Sequence, residues 1–317
     1  MPPVTTLPYG EAPAYCFPLT ELCMYVLFVL CLLYSIKQGI NQVSYLLAGV
    51  LFGLLLEYIN VISNMGYVYG KFVVMLGTPP LDIPLCIGIG WGVIMYISRL
   101  FTDAFRLPLW AGACLDALLA LSIDVSMDSV AYRLHMWTWN WSGSALNPLT
   151  AQWFGVPYAN FSGWLYVVFF YSSFNRLPER RLTKNKEAVK LKLALIPLLS
   201  VVASQIALYV TLVYISDFLR HYGITDGIRL SLNLFILVLV IIFNWRKKRT
   251  PTSFTVPYIT WLVPAWFHVY FFVWLFIGGF HKESTWIVVA GALSLVVGIA
   301  IHVYPKTSIK EMQVKAA

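Results

Sequence analysis

Four acidic residues stand where this sequence is otherwise apolar. Glu57 interrupts LFGLLLEYINV, while Asp116, Asp124 and Asp128 interrupt a long run that ends IDVSMDSVAYR. An ionisable group inside a membrane helix costs roughly 2.5–3.5 kcal/mol on insertion scales, and such groups usually face a cavity or pathway rather than lipid. Asp124 and Asp128 are four residues apart, so a helix places them on one face, one turn apart. Asp116 lies about 80° from Asp124 on the same helical wheel. Two neighbouring carboxyls in a low dielectric divide their protonation states. One keeps its proton and can act as an acid, while the other stays ionised and can hold water or stabilise positive charge. Those are the groups of general acid–base chemistry inside a membrane.

Aromatic residues follow at once. HMWTWNWSGSALNPLTAQWFGVPYANFSGW carries Trp137, Trp139, Trp141, Trp153 and Trp164, and NMGYVYGKF adds Tyr67 and Tyr69 just after Glu57. Flat, rigid rings suit a long polyene or prenyl chain, and their faces stabilise a carbocation. They would equally form an interfacial aromatic belt. Asp116, Arg133 and Asn160 complete the candidate substrate-binding set, although Asp116 reads as well as a cap or a bridge between helices.

The chain that must position these groups is a polytopic all-α membrane protein. Of its residues 59% are hydrophobic and only 11% are charged, and the mean hydropathy is +0.74, which excludes an ordinary soluble domain. Apolar runs long enough to span, about 20 residues each, lie near 19–37, 43–63, 83–100, 107–132, 160–176, 192–215, 227–245, 255–278 and 284–304. Alternating the loops of nine such spans puts 17 of the 22 cations on one side. Lys71, Arg133, Arg220, Arg229 and Lys282 are left on the other. The positive-inside rule then sets the N-terminus outside and the C-terminus in the cytoplasm. The net charge of +8 thereby belongs to cytoplasmic loops and not to a nucleic-acid surface. At about 1.5 Å per residue, Glu57 lies roughly 21 Å and Asp124 roughly 25 Å from the cytoplasmic end of their helices. The carboxyls of the second and fourth spans are therefore expected to meet in the outer half of the bilayer. The basic stretch from Arg176 to Lys192 divides a front part, 1–176, that carries the site from a nearly bland back part, 177–317, of one membrane domain.

The order of motifs is itself informative. Glu57 is followed by GYVYG, GTPPLDIPLCIGIGW, IDVSMD, MWTW and FGVPYANFSGW. This order resembles the membrane carotenoid-biosynthesis proteins that include the γ-carotene and bisanhydrobacterioruberin hydratases. The resemblance covers about residues 50–170 and departs at Ile123 and Ser129, where the family pattern carries Trp and Pro. It implies cofactor-free, metal-free addition of water across a terminal C=C of a long isoprenoid or carotenoid drawn from the bilayer. On that reading Asp124, the deeper acid of the pair, is the expected proton donor. Asp128 is the expected ionised partner, and Glu57 competes for either role.

Three other readings share these residues. A membrane terpene or carotenoid cyclase would use the same acid and lining, with a double bond in place of water as the trap. A prenyltransferase would need a second acidic motif and nearby cations, and the charge count places few cations on the acid side. A proton-coupled transporter would use the acids as a relay, but the sequence has no visible inverted repeat. The five histidines form no HxxxH cluster, the five cysteines show no metal spacing, and neither GxxxxGK[ST] nor GxGxxG occurs.

Overall fold

The computed structural model describes residues 9–63, 67–105, 107–141, 147–182, 189–245 and 256–316. Helix α1 covers Cys16–Gln38 and α2 covers Ile40–Ile62, with the break at Gly39. Short strands β1 (Tyr67–Tyr69), β2 (Met75–Leu76) and β3 (Ile83–Pro84) follow, then α3 (Leu85–Asp103) and α4 (Leu109–Arg133). Strand β4 (Trp137–Trp139) precedes α5 (Tyr158–Leu182) and α6 (Val189–Tyr209). A π-helical stretch, Val210–Ile215, runs into α7 (Ser216–His221), followed by α8 (Asp226–Trp245), α9 (Ile259–Ile277) and α10 (Thr285–Ala316).

Each of the nine apolar runs lies on a helical stretch. Among the described residues, seven are long and apolar enough to cross a membrane: α1, α2, α3, α4, the continuous Ala194–His221 run, α8 and α9. Helix α5 falls short by composition, because YANFSGWLYVVFFYSSFN replaces aliphatic residues with Ser, Asn and Tyr. In α10 the apolar stretch is the shorter Thr285–Ile301. The fold is all-α in its long elements, with two small antiparallel pairs, β1–β4 and β2–β3, in the connections.

Burial separates central helices from peripheral ones. In α3 83% of the spanning window is buried, in α4 67%, and in α8 only 6%. The α8 side chains, such as Phe235, Ile236 and Phe243, are accordingly exposed to the surroundings, which for this chain are lipid. One core cluster runs from Cys16 to Ile287 and draws on both halves of the sequence.

The contact between α2 and α3 decides the geometry of the site. Gly49 and Gly53 on α2 and Gly88 and Gly92 on α3 are each spaced four residues apart, the small-residue pattern that lets membrane helices approach closely. A Cβ on Gly49 would lie 3.1 Å from Gly92 Cα, and one on Gly53 would lie 2.5 Å from Trp91 Cβ. One further turn along α2 stands Glu57, so the close approach delivers Trp91 to the Glu57 carboxylate.

Candidate active site

Strand β1 leaves the end of α2 and strand β4 leaves the end of α4. They pair antiparallel, with Tyr67 opposite Trp139 and Tyr69 opposite Trp137. This ribbon lies across the helix ends and brings four aromatic side chains, spaced by the strand period of two, to the two acid-bearing helices. Tyr67 and Tyr69 meet edge to face at 5.6 Å, and Tyr69 meets Trp137 edge to face at 6.4 Å.

Beneath the ribbon is a cavity of about 300 Å³. Glu57 and Asp128 line it from opposite helices, with Tyr67, Tyr69, Trp137 and Trp139 in its roof. Trp91, Trp164, Phe72, Phe267 and Phe271 supply apolar wall, and Trp91 and Trp164 pack with ring centroids 4.1 Å apart. Residues from both sequence parts meet here, including Leu212 of the π-helical stretch, where the helix is widened.

The two acidic centres differ in their partners. Glu57 is 5% exposed and is surrounded by donors. Trp91 Nε1 donates to it at 2.7 Å, Tyr67 donates its phenolic proton to the other oxygen, and Asn60 Nδ2 donates to the Tyr67 oxygen at 2.9 Å. Desolvation, then the neighbouring Glu57 carboxylate, holds the Tyr67 and Tyr69 phenols well above their ordinary range. Both stay protonated donors. Both carboxyl oxygens of Glu57 therefore accept hydrogen bonds from neighbouring donors.

Asp124 and Asp128 are 0% and 2% exposed. Asn160, in the first turn of α5, donates its amide to Asp128 Oδ2 at 2.6 Å and to Asp124 Oδ2 at 3.0 Å. The Asn160 amide thus bridges the two carboxyls. Asp124 Oδ1 is buried without a hydrogen-bond partner, and Asp124 does not line the cavity. Asp128 is thus the member of the pair that faces the space, with Asp124 behind it.

The remaining candidates fall into two groups. Trp137, Trp139, Asn160, Trp164, Tyr67 and Tyr69 line the cavity. Asp116, Arg133, Trp141 and Trp153 are not among its lining residues. Asp116 accepts from Arg176 at 2.9 Å and from Ser172 at 2.6 Å, in an ion-pair cluster that includes Asp103, Arg99 and Glu179. Eight residues of α4, about 12 Å of helix rise, separate it from Asp124. Arg133 donates to the carbonyls of Ser129, Phe154 and Leu149 and pairs with Glu283 at 2.8 Å. Trp153 donates to the Val125 carbonyl at 2.9 Å and Trp141 to that of Gly155 at 3.0 Å. These three hold the 147–157 connection against α4, which in turn sets the start of α5 and the position of Asn160.

Sequence reading also passed over residues that the fold brings in. Trp91 closes the GTPPLDIPLCIGIGW stretch, and its nearness to Glu57 follows from the glycine spacing on α2 and α3. Arg220 and Arg229 both line the cavity, so the acid side is less poor in cations at the site than loop counting implied. Their signal was an Asp226–Arg229 pair at helical spacing at the start of an apolar run. Among the described residues no group of three or more His, Cys, Asp or Glu side chains is gathered to hold a metal ion.

No curated protein and no solved structure matches the chain. A family model described as carotenoid biosynthesis protein matches residues 19–221, which spans α1 to α7 and includes every acid of the cavity. That match covers more than half of the sequence, and the chain belongs to the carotenoid biosynthesis protein family.

Proposed function

We propose that this protein adds water across a terminal C=C of a long isoprenoid or carotenoid, by acid catalysis within the membrane and without a cofactor. The observation that carries the reading is the placement of Asp128 and Glu57 on one aromatic cavity, with different hydrogen-bonding partners. Asp128, backed by Asp124 and bridged by Asn160, is the proton donor. Two adjacent carboxyls avoid the repulsion of two anions by keeping one proton between them. This reassigns the donor role from the deeper Asp124 to the acid that faces the cavity.

In the step, the proton on the Asp124–Asp128 pair passes to the less substituted alkene carbon. The π bond breaks and a tertiary cation forms on the neighbouring carbon. The Glu57 anion and the faces of Trp137, Trp139 and Trp164 stabilise it. A water oxygen then forms the new C–O bond. The extra proton of that water returns to the carboxyl pair, so the net change is addition of H₂O and the enzyme is restored. The ribbon and the glycine-packed α2–α3 contact bury Glu57 and Asp128, and a low dielectric strengthens the electrostatics of both carboxyls.

A cyclase would use the same donor and the same aromatic lining, with an internal double bond as the trap. The deciding experiment is expression in a host that accumulates acyclic carotenoids, followed by mass spectrometry of the lipid extract. Products heavier by one water support hydration. Isomers of unchanged mass mean cyclisation, and unchanged lipids remove both.

A further inference from the structure

Helix α3 carries glycines at 88, 90 and 92, and their surroundings differ. A Cβ on Gly88 would lie 2.4 Å from the Leu54 side chain, and one on Gly92 would lie 2.5 Å from that of Val50. Both are therefore required by the close α2–α3 contact. Gly90 is not, because a Cβ there would meet only Met24 Sδ, at 3.6 Å, an ordinary contact. A Cβ on Gly163 of α5 would meet nothing within 4 Å. Both lie inside helices, where glycine is destabilising relative to alanine. Packing within the protein accounts for neither of them.

Gly90 and Gly163 both line the cavity. On α5 the cavity-facing stripe runs from Ala159 to Trp164, about 140° of the helical wheel, and Gly163 falls about 40° inside one edge. Cys86, Gly90 and Trp91 repeat the same spacing on α3. Each glycine is followed by a tryptophan, and Trp91 and Trp164 pack with ring centroids 4.1 Å apart. Bare backbone therefore lies beside the packed indoles on both helices. Trp91 is tied to Glu57 by its 2.7 Å hydrogen bond, and Gly163 lies one turn beyond Asn160, which bridges Asp124 and Asp128. The space at the glycines thus belongs to the same cavity as Asp128 and Glu57.

Glycine in the wall of a site lets a ligand approach the backbone closely. We propose that Gly90 and Gly163 seat the end group of the isoprenoid and select it by its cross-section. The geminal methyl branches of an isopropylidene end lie on the bare backbone at these two positions, beside the Trp91–Trp164 pair. The terminal double bond then falls between Asp128 and Glu57. An unbranched chain end has no use for that space. The inference rests on reading the cavity as an isoprenoid site, and it adds the two residues that fit the site to a branched end.

The test is binding to the purified full-length protein in detergent, read from quenching of tryptophan fluorescence by lycopene and from displacement of lycopene by two colourless hydrocarbons. Squalene has isopropylidene ends, whereas 1-triacontene has an unbranched terminal alkene. The unmodified protein should prefer squalene. Gly163→Leu should weaken squalene by about tenfold or more, the scale of overpacking a fitted site, and leave 1-triacontene within about twofold. Gly90→Val should shift the ratio in the same direction. If the leucine variant does not elute as a folded species, Gly163→Ala, whose methyl meets no protein atom, should lower squalene affinity by about threefold. A folded variant that keeps the unmodified ratio overturns the seat alone, whether both affinities stay or both fall together. Equal binding of the two hydrocarbons by the unmodified protein does the same. Failure of lycopene and squalene to bind the unmodified protein removes the seat and the isoprenoid cavity together. None of these outcomes depends on turnover, so hydration can fail by product analysis while the seat stands.

Discussion

Asn160 on α5 and Asp128 on α4 are joined by an amide-to-carboxyl hydrogen bond of 2.6 Å, and the second hydrogen of the same amide reaches Asp124 at 3.0 Å. One side chain thereby bridges two buried acids. Asp128 belongs to the cavity wall, whereas Asp124 is not among the lining residues and its Oδ1 is enclosed in protein without a partner.

Removing the proton from this pair is expected to stop the chemistry. Asp128→Asn keeps the shape and should lower turnover by about 10²–10⁴-fold, the usual range for a general acid. Asp124→Asn should cost less, because its carboxyl acts on the cavity only through Asp128. The comparison is kcat on purified, monodisperse variants. An Asp128→Asn protein that turns over at the wild-type rate would take the donor role away from Asp128.

Glu57 is expected to govern what happens to the cation rather than whether it forms. Glu57→Gln retains the contacts with Trp91 and Tyr67 but loses the charge, so products should shift toward eliminated or cyclised isomers. Tyr67→Phe should have a smaller effect, about tenfold to a hundredfold on kcat, the scale of one hydrogen bond to a charged group. Product analysis reads this directly. An unchanged product distribution in Glu57→Gln would place cation control elsewhere.

The α2–α3 contact has no room for a side chain at Gly53, since a Cβ there would sit 2.5 Å from Trp91 Cβ. Gly53→Val should destabilise the protein by about 1–3 kcal/mol through overpacking. It should also push Trp91 away from Glu57, so activity should fall further than stability does. Thermal unfolding in detergent, set beside kcat at a temperature where the variant is fully folded, separates the two effects. A variant with unchanged unfolding temperature would show that the helices are not held this close.

From the cation count we propose that the Arg176–Lys192 connection faces the cytoplasm. Residues 183–188 of that connection lie outside the described residues. Single cysteines placed there in a cysteine-free background should resist an impermeant thiol reagent in intact cells and react after lysis. Labelling before lysis would invert the topology and put the ribbon-capped cavity on the inner side.

Much of the architecture was legible because it is set by short-range rules. Apolar runs of spanning length mark helices, since a backbone in lipid must satisfy its own hydrogen bonds. A four-residue spacing puts Asp124 and Asp128 on one face whatever else the chain does. The low proportion of charge and the two aromatic segments pointed to a membrane site for an apolar substrate.

Tertiary structure alone decided which of these groups meet. Asp116 and Asp124 share a helix and a similar face, but Arg176 and Ser172, more than fifty residues further on, claim Asp116 for an ion-pair cluster. Trp153 and Trp141 looked equivalent to Trp137 and Trp139, yet their indole N–H groups turn to backbone carbonyls while the latter pair is carried into the cavity by pairing with β1. Trp91 reaches Glu57 because glycines on two helices permit a close approach, and Arg229 enters from a half of the chain whose sequence looked bland. A helical period specifies the face a residue occupies. The partner that face receives depends on contacts between segments far apart in the chain, and these are set by packing of the whole bundle.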